Sequence, residues 1–279
     1  MATFTLLAVA LATSQVRFLQ EPDLPCKRPH GIAFAGGKTV SGGLRGLWIR
    51  SSDQKWTQIN SRAVKQIEEN SDGVWVLYGD GSVDKIDPAT GRLYFDVFQG
   101  SALRPWFACM DSQAKRFGGA GGWLSKTKLS QLETYPKELD STPVTCLLAS
   151  GRGTWLGSQS GLFLASDDKF QRFGMAAGLI DPWITAVAEH NGGLFVGTAS
   201  AGVFRFNGKS FSPISTPFKR IRQLLSTPKG LAVGSLDGGI LLQAKGELAL
   251  AQEEVTFLKL SRGELFVGTV NGIRAYRQN

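Results

Sequence analysis

The residues able to do covalent or metal chemistry are few, and their spacing narrows the options further. Two histidines, His30 and His190, stand far apart, and the three cysteines, Cys26, Cys109 and Cys146, contain no Cys-x-x-Cys pair. Zinc sites and thiol redox motifs use closely spaced ligands, and a disulfide framework uses an even set, so no metal site and no disulfide are expected. Histidine-dependent nucleophilic catalysis has little to draw on. Asp80, Asp84 and Asp87 stand in D-G-S-V-D-K-I-D, which lacks the alternating ligands and closing glutamate of a calcium loop. Asp80-Gly81 and Asp87-Pro88 read as turns instead. There is no P-loop, dinucleotide fingerprint or nucleophile elbow, so no cofactor is expected.

What remains suits binding. Trp106 and Trp183 each follow a proline, in Arg104-Pro105-Trp106 and Asp181-Pro182-Trp183, while Arg62 and Arg220 occupy comparable places and His30 lies beside Lys27 and Arg28. Tryptophan faces and arginine forks around one opening would take a sugar ring or a carboxylated ligand. The competing reading makes Trp106 and Trp183 apolar plugs between neighbouring sheets and Arg62, Arg104 and Arg220 solvated rim charges. Glu21, Asp23, Asp181, Glu253 and Glu254 lie in similar loops. A glycan-active enzyme would need two carboxylates about 5 to 10 Å apart in a pocket.

The elements that must position these residues announce themselves by repetition. Glycine contributes 34 of 279 residues, well above its usual ~7 % share, as expected of many short strands joined by tight turns. GTWLGSQSGLF (153–163), GLFVGTASAGVF (193–204) and GELFVGTVNGI (263–273) each show an alternating strand, a small pair, a turn and another strand, which is a β-hairpin signature. Equivalent anchors fall at Gly42, Leu77, Gly118, Gly157, Gly197, Gly234 and Gly268. An apolar-alternating run such as Ile184-Thr185-Ala186-Val187 precedes each anchor, and a short fourth strand such as Lys169–Phe173 follows most of them. Four strands per period of roughly 40 residues is the size of a propeller blade.

The last copy stops after its third strand, while Gln15–Leu19 precedes the first complete copy and alternates correctly. The expected architecture is therefore an all-β, seven-bladed β-propeller of four-stranded antiparallel blades over residues 15–279, with the N-terminal strand completing the last blade and removing an exposed edge. In such a ring the innermost strands line a channel, and loops gather at its mouth. Trp48, Trp75, Trp123 and Trp155 fall on the hairpin strands and read as core. Cys109 and Cys146 share one repeat position in adjacent blades and read as fillers of a tight interior slot.

Residues 171–214, QRFGMAAGLIDPWITAVAEHNGGLFVGTASAGVFRFNGKSFSPI, resemble a two-component-regulator propeller repeat: a Gly-Leu loop, an Ile-Thr-Ala inner strand, a Leu-Trp-Val-Gly-Thr-like strand, a Gly-Leu strand and a short aromatic strand. The resemblance is close over 144–214 and 255–276, fair over 31–60 and 221–250, and loose over 62–135. It implies a seven-bladed propeller that senses ligands outside the bacterial cytoplasm. No kinase or DNA-binding segment accompanies it here, so a signalling output does not carry over.

Composition agrees with a location outside the cytoplasm. The apolar run Phe4–Ala12 is too short to span a bilayer, and Ala10-Leu11-Ala12 offers a small-residue cleavage site. Residues 1–14 therefore read as a signal peptide, although without a basic leading segment; a buried first strand is the alternative. No later stretch is long and apolar enough for a membrane span. Net charge is +8 and the pI near 9.5, but no run of five or six basic residues points to nucleic acid. The expected function is a secreted or periplasmic, monomeric, non-enzymatic module binding a small acidic or glycan ligand or a partner protein at the channel mouth. The alternative is a propeller-type glycan lyase or hydrolase.

Overall fold

The computed structural model of the chain describes residues 16–19, 24–51, 53–87, 89–98, 107–113, 115–119, 123–126, 132–134, 142–166, 169–244 and 246–277. The signal-peptide segment 1–14 lies outside them, as do Arg104 and Trp106. The described residues form an all-β, propeller-like array of seven four-stranded antiparallel sheets. Sheets one to six are each continuous in sequence, with inner strands Pro29–Ala35, Val64–Asn70, Phe107–Met110, Val144–Ser150, Ile184–His190 and Ile221–Thr227. Sheet seven is composite. Its inner strand Val255–Ser261 is followed by Glu264–Thr269 and Gly272–Arg277, and its fourth strand is Val16–Leu19 from the other end of the chain. Val16 pairs with Tyr276 and Leu19 with Ile273, antiparallel.

Each inner strand carries the same irregularity. Pairing with the second strand slips by one residue between Pro29 and Gly31, Val64 and Gln66, Phe107 and Cys109, Val144 and Cys146, Ile184 and Ala186, Ile221 and Gln223, and Val255 and Phe257. Such a bulge leaves one residue unpaired and re-aims its side chain. The residue just after each bulge faces the repeat anchor, as Ala186 faces Gly197.

The anchors are glycines for a reason of space. A Cβ on Gly42 would stand 2.6 Å from Val64 Cγ2, one on Gly118 2.7 Å from Val144 Cγ1, and one on Gly234 2.6 Å from Val255 Cγ1. In each case the first β-branched residue of the next sheet's inner strand occupies the notch. Between sheets four and five the contact broadens into a cluster holding Trp155, Phe173, Leu179, Ile184, Val196, Phe204, Phe206 and Phe211. Burying each aromatic or branched side chain is worth about 1.5 to 3 kcal/mol.

Polar bonds cross every boundary as well. His30 Nδ1 bonds to Val64 O, Gln66 Nε2 to Met110 O, Cys109 Sγ to Val144 O, Thr145 Oγ1 to Ile184 O, Thr185 Oγ1 to Ile221 O and Gln223 Nε2 to Leu258 O. Thr256 Oγ1 bonds to Pro29 O, from sheet seven back to sheet one. Each boundary thus spends one side chain, at or next to the bulge, on the neighbouring backbone.

The core agrees with the expected tryptophans where they are described: Trp75 and Trp155 are buried, and Trp48 packs against the cluster around Phe257 and Phe266. Trp123 lies on a strand, its side chain outside the described residues. Trp183 corrects one expectation. It is 47 % exposed and plugs no gap between sheets. The anchor Leu77 is a departure of another kind, since it fills its notch with a side chain that packs beside Phe98, Phe107 and Phe117.

Candidate functional site

The bulge residues of all seven inner strands, His30, Lys65, Ala108, Thr145, Thr185, Arg222 and Thr256, line one central cavity of about 540 Å³. The pleat sends the following residues alternately into this channel and into the sheet boundaries. Deeper in, Glu68, Glu189 and Lys259 join the lining.

Charge is distributed unevenly around the wall. Sheets four and five contribute hydroxyls, and both Thr145 and Thr185 are committed to neighbouring carbonyls. Most ionisable groups come from the other sheets, Arg222 from six, Lys259 from seven, His30 from one and Lys65 and Glu68 from two, and sheet five adds Glu189. Lys259 Nζ passes the inner strand of sheet one to reach Glu68 Oε2 at 3.5 Å and Ile67 O at 3.4 Å in sheet two. Burial raises the Glu68 carboxyl above its ordinary range, with the Lys259 charge opposing the shift. Glu69 next to it accepts from Ser261 Oγ at 2.6 Å and Phe34 N at 2.5 Å, tying the same three sheets together.

At the mouth, Arg28 holds both oxygens of Glu254 at 2.6 Å, and Arg222 Nη1 stands 3.5 Å from the same carboxylate. His30 sits among them. Desolvation depresses its pKa, the hydrogen bond to Val64 O opposes this, and the charges of Arg222 and Arg28 depress it further. Because a carbonyl can only accept, Nδ1 carries the proton, and Nε2 is buried without a partner. Burial also lowers the Lys65 ammonium below the usual lysine range. The two channel thiols are raised by burial, Cys146 to about 12 and Cys109 above that, so both stay protonated and neither is a ready nucleophile. Cys109 and Cys146 are free thiols.

Of the ligand-binding residues expected from the sequence, His30 alone among the described ones lines the channel. Arg62 instead lies over the Tyr78 ring, its guanidinium carbon 3.7 Å from the centroid, and bonds to Ser82 and to the fully buried Asp84. Arg220 makes an exposed pair with Asp237, Nε to Oδ2 at 3.3 Å. Arg62 is thus paired and partly buried, and Arg220 paired but exposed. The exposed Trp183 ends a loop braced by Asp181, which accepts from Trp183 N at 2.9 Å and from Ser200 Oγ at 2.8 Å. Trp183 and Arg220 stand just before the bulges of their inner strands and outside the cavity lining. Lys65 and Arg222 were visible only as scattered charges; their signal is the repeat position immediately before Gln66 and Gln223.

The other chemical expectations have counterparts in the geometry. Asp80 caps Ser82 N at 3.0 Å, and Asp87 caps Ala89 N and Thr90 N at 2.9 and 2.8 Å, as turn residues do. His190 bonds to Ser226 at the far end of its strand, away from His30. Among the described residues no group of three or more His, Cys, Asp or Glu could hold a metal ion, and no helix is long and apolar enough to cross a membrane.

No protein-family model matches the sequence, and no curated protein matches it closely. Solved structures do resemble it in shape. The extracellular domain of a protein described as the hybrid two-component system BT3049 of B. thetaiotaomicron superposes with a TM-score of 0.75 at 14 % identity, covering 95 % of this chain and 42 % of that one. The extracellular domain of a protein described as the one-component system BT4673 of the same organism gives 0.76 at 13 %, covering 95 % and 40 %. Virginiamycin B lyase from Staphylococcus aureus gives 0.65 at 12 %, covering 94 % and 98 %. This chain spans about two-fifths of the first two and nearly all of the third, so one fold serves both kinds of protein. What the chain shares with the extracellular domains of two-component-system proteins, at these identities, is that fold.

Proposed function

We propose that the chain is a non-enzymatic binding or sensing module working outside the cytoplasm, a seven-bladed propeller held closed by Val16–Leu19, that takes a small acidic or glycan ligand in its central channel. The observation that carries this reading is the 540 Å³ cavity lined by every inner strand, a volume within the range of small-molecule sites. The fold shared with extracellular domains of two-component-system and one-component-system proteins supports the location and the sensing role. The ligand is placed deeper than the Trp183 and Arg220 rim, on His30, Lys65 and Arg222.

A glycan-active enzyme is the second reading, favoured by Glu68, whose raised carboxyl shares the channel with Glu189. The carboxylates expected at the mouth weigh against it: Asp181 braces its loop, Glu253 pairs with Arg274 and Glu254 with Arg28. A thermal-shift screen of acidic metabolites together with a glycan array decides between the readings. Stabilisation by intact ligands supports binding, and release of cleaved sugar supports catalysis. If no small molecule stabilises the protein, docking to a partner protein takes the place of the channel reading.

A further inference from the structure

The channel wall can be sorted by what its polar groups already do. Thr145, Thr185, Thr256, Gln66 and Gln223 all bond to the backbone of the next sheet. Lys259 and Glu68 face each other. What is left at the bulge level, among the described residues, is cationic. Lys65 has no ion-pair partner there. Arg222 has only the 3.5 Å approach to Glu254, a carboxylate whose two oxygens Arg28 already holds at 2.6 Å. The two cations also stand on opposed walls. Sheets two and six are separated by sheets seven and one on one side, and by three, four and five on the other. Both residues are exposed within the channel lining.

We propose that Lys65 and Arg222 form the two ends of a single anion site across the channel, and that its ligand is a compact molecule with two acidic groups, of which a dicarboxylate is the simplest. This rests on the channel being the binding site, and it adds the ligand's charge and length. A guanidinium fork and an ammonium on facing walls reward two anionic groups held apart, whereas a single carboxylate can satisfy only one of them. His30, uncharged and bonded to Val64, leaves the counting of charges to these two. The Lys65 ammonium, disfavoured by its surroundings when alone, gains its missing counter-ion on binding.

Calorimetric titration of the full chain at low salt, with succinate, glutarate and adipate against butyrate, valerate and hexanoate, tests this. One dicarboxylate should bind at least about tenfold more tightly than the monocarboxylate of its length, the effect of one added charge-assisted contact. Lys65→Gln and Arg222→Gln should each bring that affinity down to the monocarboxylate level, and Lys65→Arg should restore most of it. Unchanged melting of the exposed-site variants shows that folding is intact. Equal affinity for the two series, absence of dicarboxylate binding, or indifference to both Gln variants overturns the proposal. Ala108→Trp, which fills the channel at the same level, separates the two failures. A neutral oligosaccharide lost with Ala108→Trp but kept with Lys65→Gln leaves the channel site standing without its anion. Dicarboxylate binding that survives Ala108→Trp moves the site out of the channel altogether.

Discussion

In sheet five the anchor is Gly197, and Ile221 Cγ2 of the next sheet sits closer than a Cβ would tolerate. In sheet two the same position is Leu77, fully buried beside an aromatic cluster of Phe98, Phe107 and Phe117. Sheet five closes with a four-residue outer strand, Phe211–Ile214, and sheet two with a two-residue one, Leu93–Tyr94. Sheet two has a fully buried carboxylate, Asp84, which accepts from Tyr78 Oη at 2.8 Å, Asp96 N at 2.9 Å and the Arg62 guanidinium. One plan is thus held by steric interlock in one place and by a buried polar network in another. At the bulge level the channel wall differs too: sheet five offers Thr185 and sheet two Lys65.

Removing Asp84 should show the contrast most strongly. Asp84→Ala leaves the Arg62 charge and the Tyr78 hydroxyl without their partner and should cost about 3 kcal/mol in urea denaturation, the lower end of the range for breaking a buried pair because Arg62 is partly exposed. Gly197→Ala should cost somewhat less, about 2 kcal/mol, by wedging the boundary with sheet six. Equal tolerance of Gly197→Leu and the native Leu77 would erase the difference between the two anchors. Trp183→Ala, in a loop of sheet five, should change stability by under about 0.5 kcal/mol because the ring is exposed. A loss several times larger would return Trp183 to the core.

The smallest effect is a pH dependence. The folded His30 binds its proton less readily than the unfolded chain does. As pH falls through the ordinary histidine range near 6.5, the unfolded state gains a proton first, and stability declines until the depressed folded pKa is passed. Glu68 acts in the opposite direction, its raised carboxyl taking a proton first in the folded state as pH falls below that raised value. His30→Gln removes only the first contribution. The variant's stability, measured across pH 5 to 7, should therefore fall less on acidification than the parent's. Parallel curves would mean that His30 titrates alike in both states.

The repeat made the architecture legible, because a glycine notch facing a β-branched residue of the next sheet recurs at most of the boundaries. The N-terminal strand could be placed by the same logic, from one missing strand and one orphan. Even Leu77 could be aligned by spacing alone. The site was less legible. His30 was found because its basic neighbours drew notice, whereas Lys65 and Arg222 looked like surface charge until the bulge turned them into the channel. Asp84, Arg62 and Tyr78 form a network whose members come from two strands and a loop, and no local pattern announces such a meeting. A bulge has little signature in composition, yet it decides which side of a strand a side chain takes.

Val16–Leu19 waits for a partner made much later in synthesis. During synthesis at ~5–20 residues per second, residues 273–276 emerge on the order of tens of seconds after the strand they join. Until then the growing arc ends in an unpaired edge at each side, open to any other strand that reaches it. A nascent chain of this design therefore gains from a chaperone that covers its first strand, or from crossing a membrane before it folds.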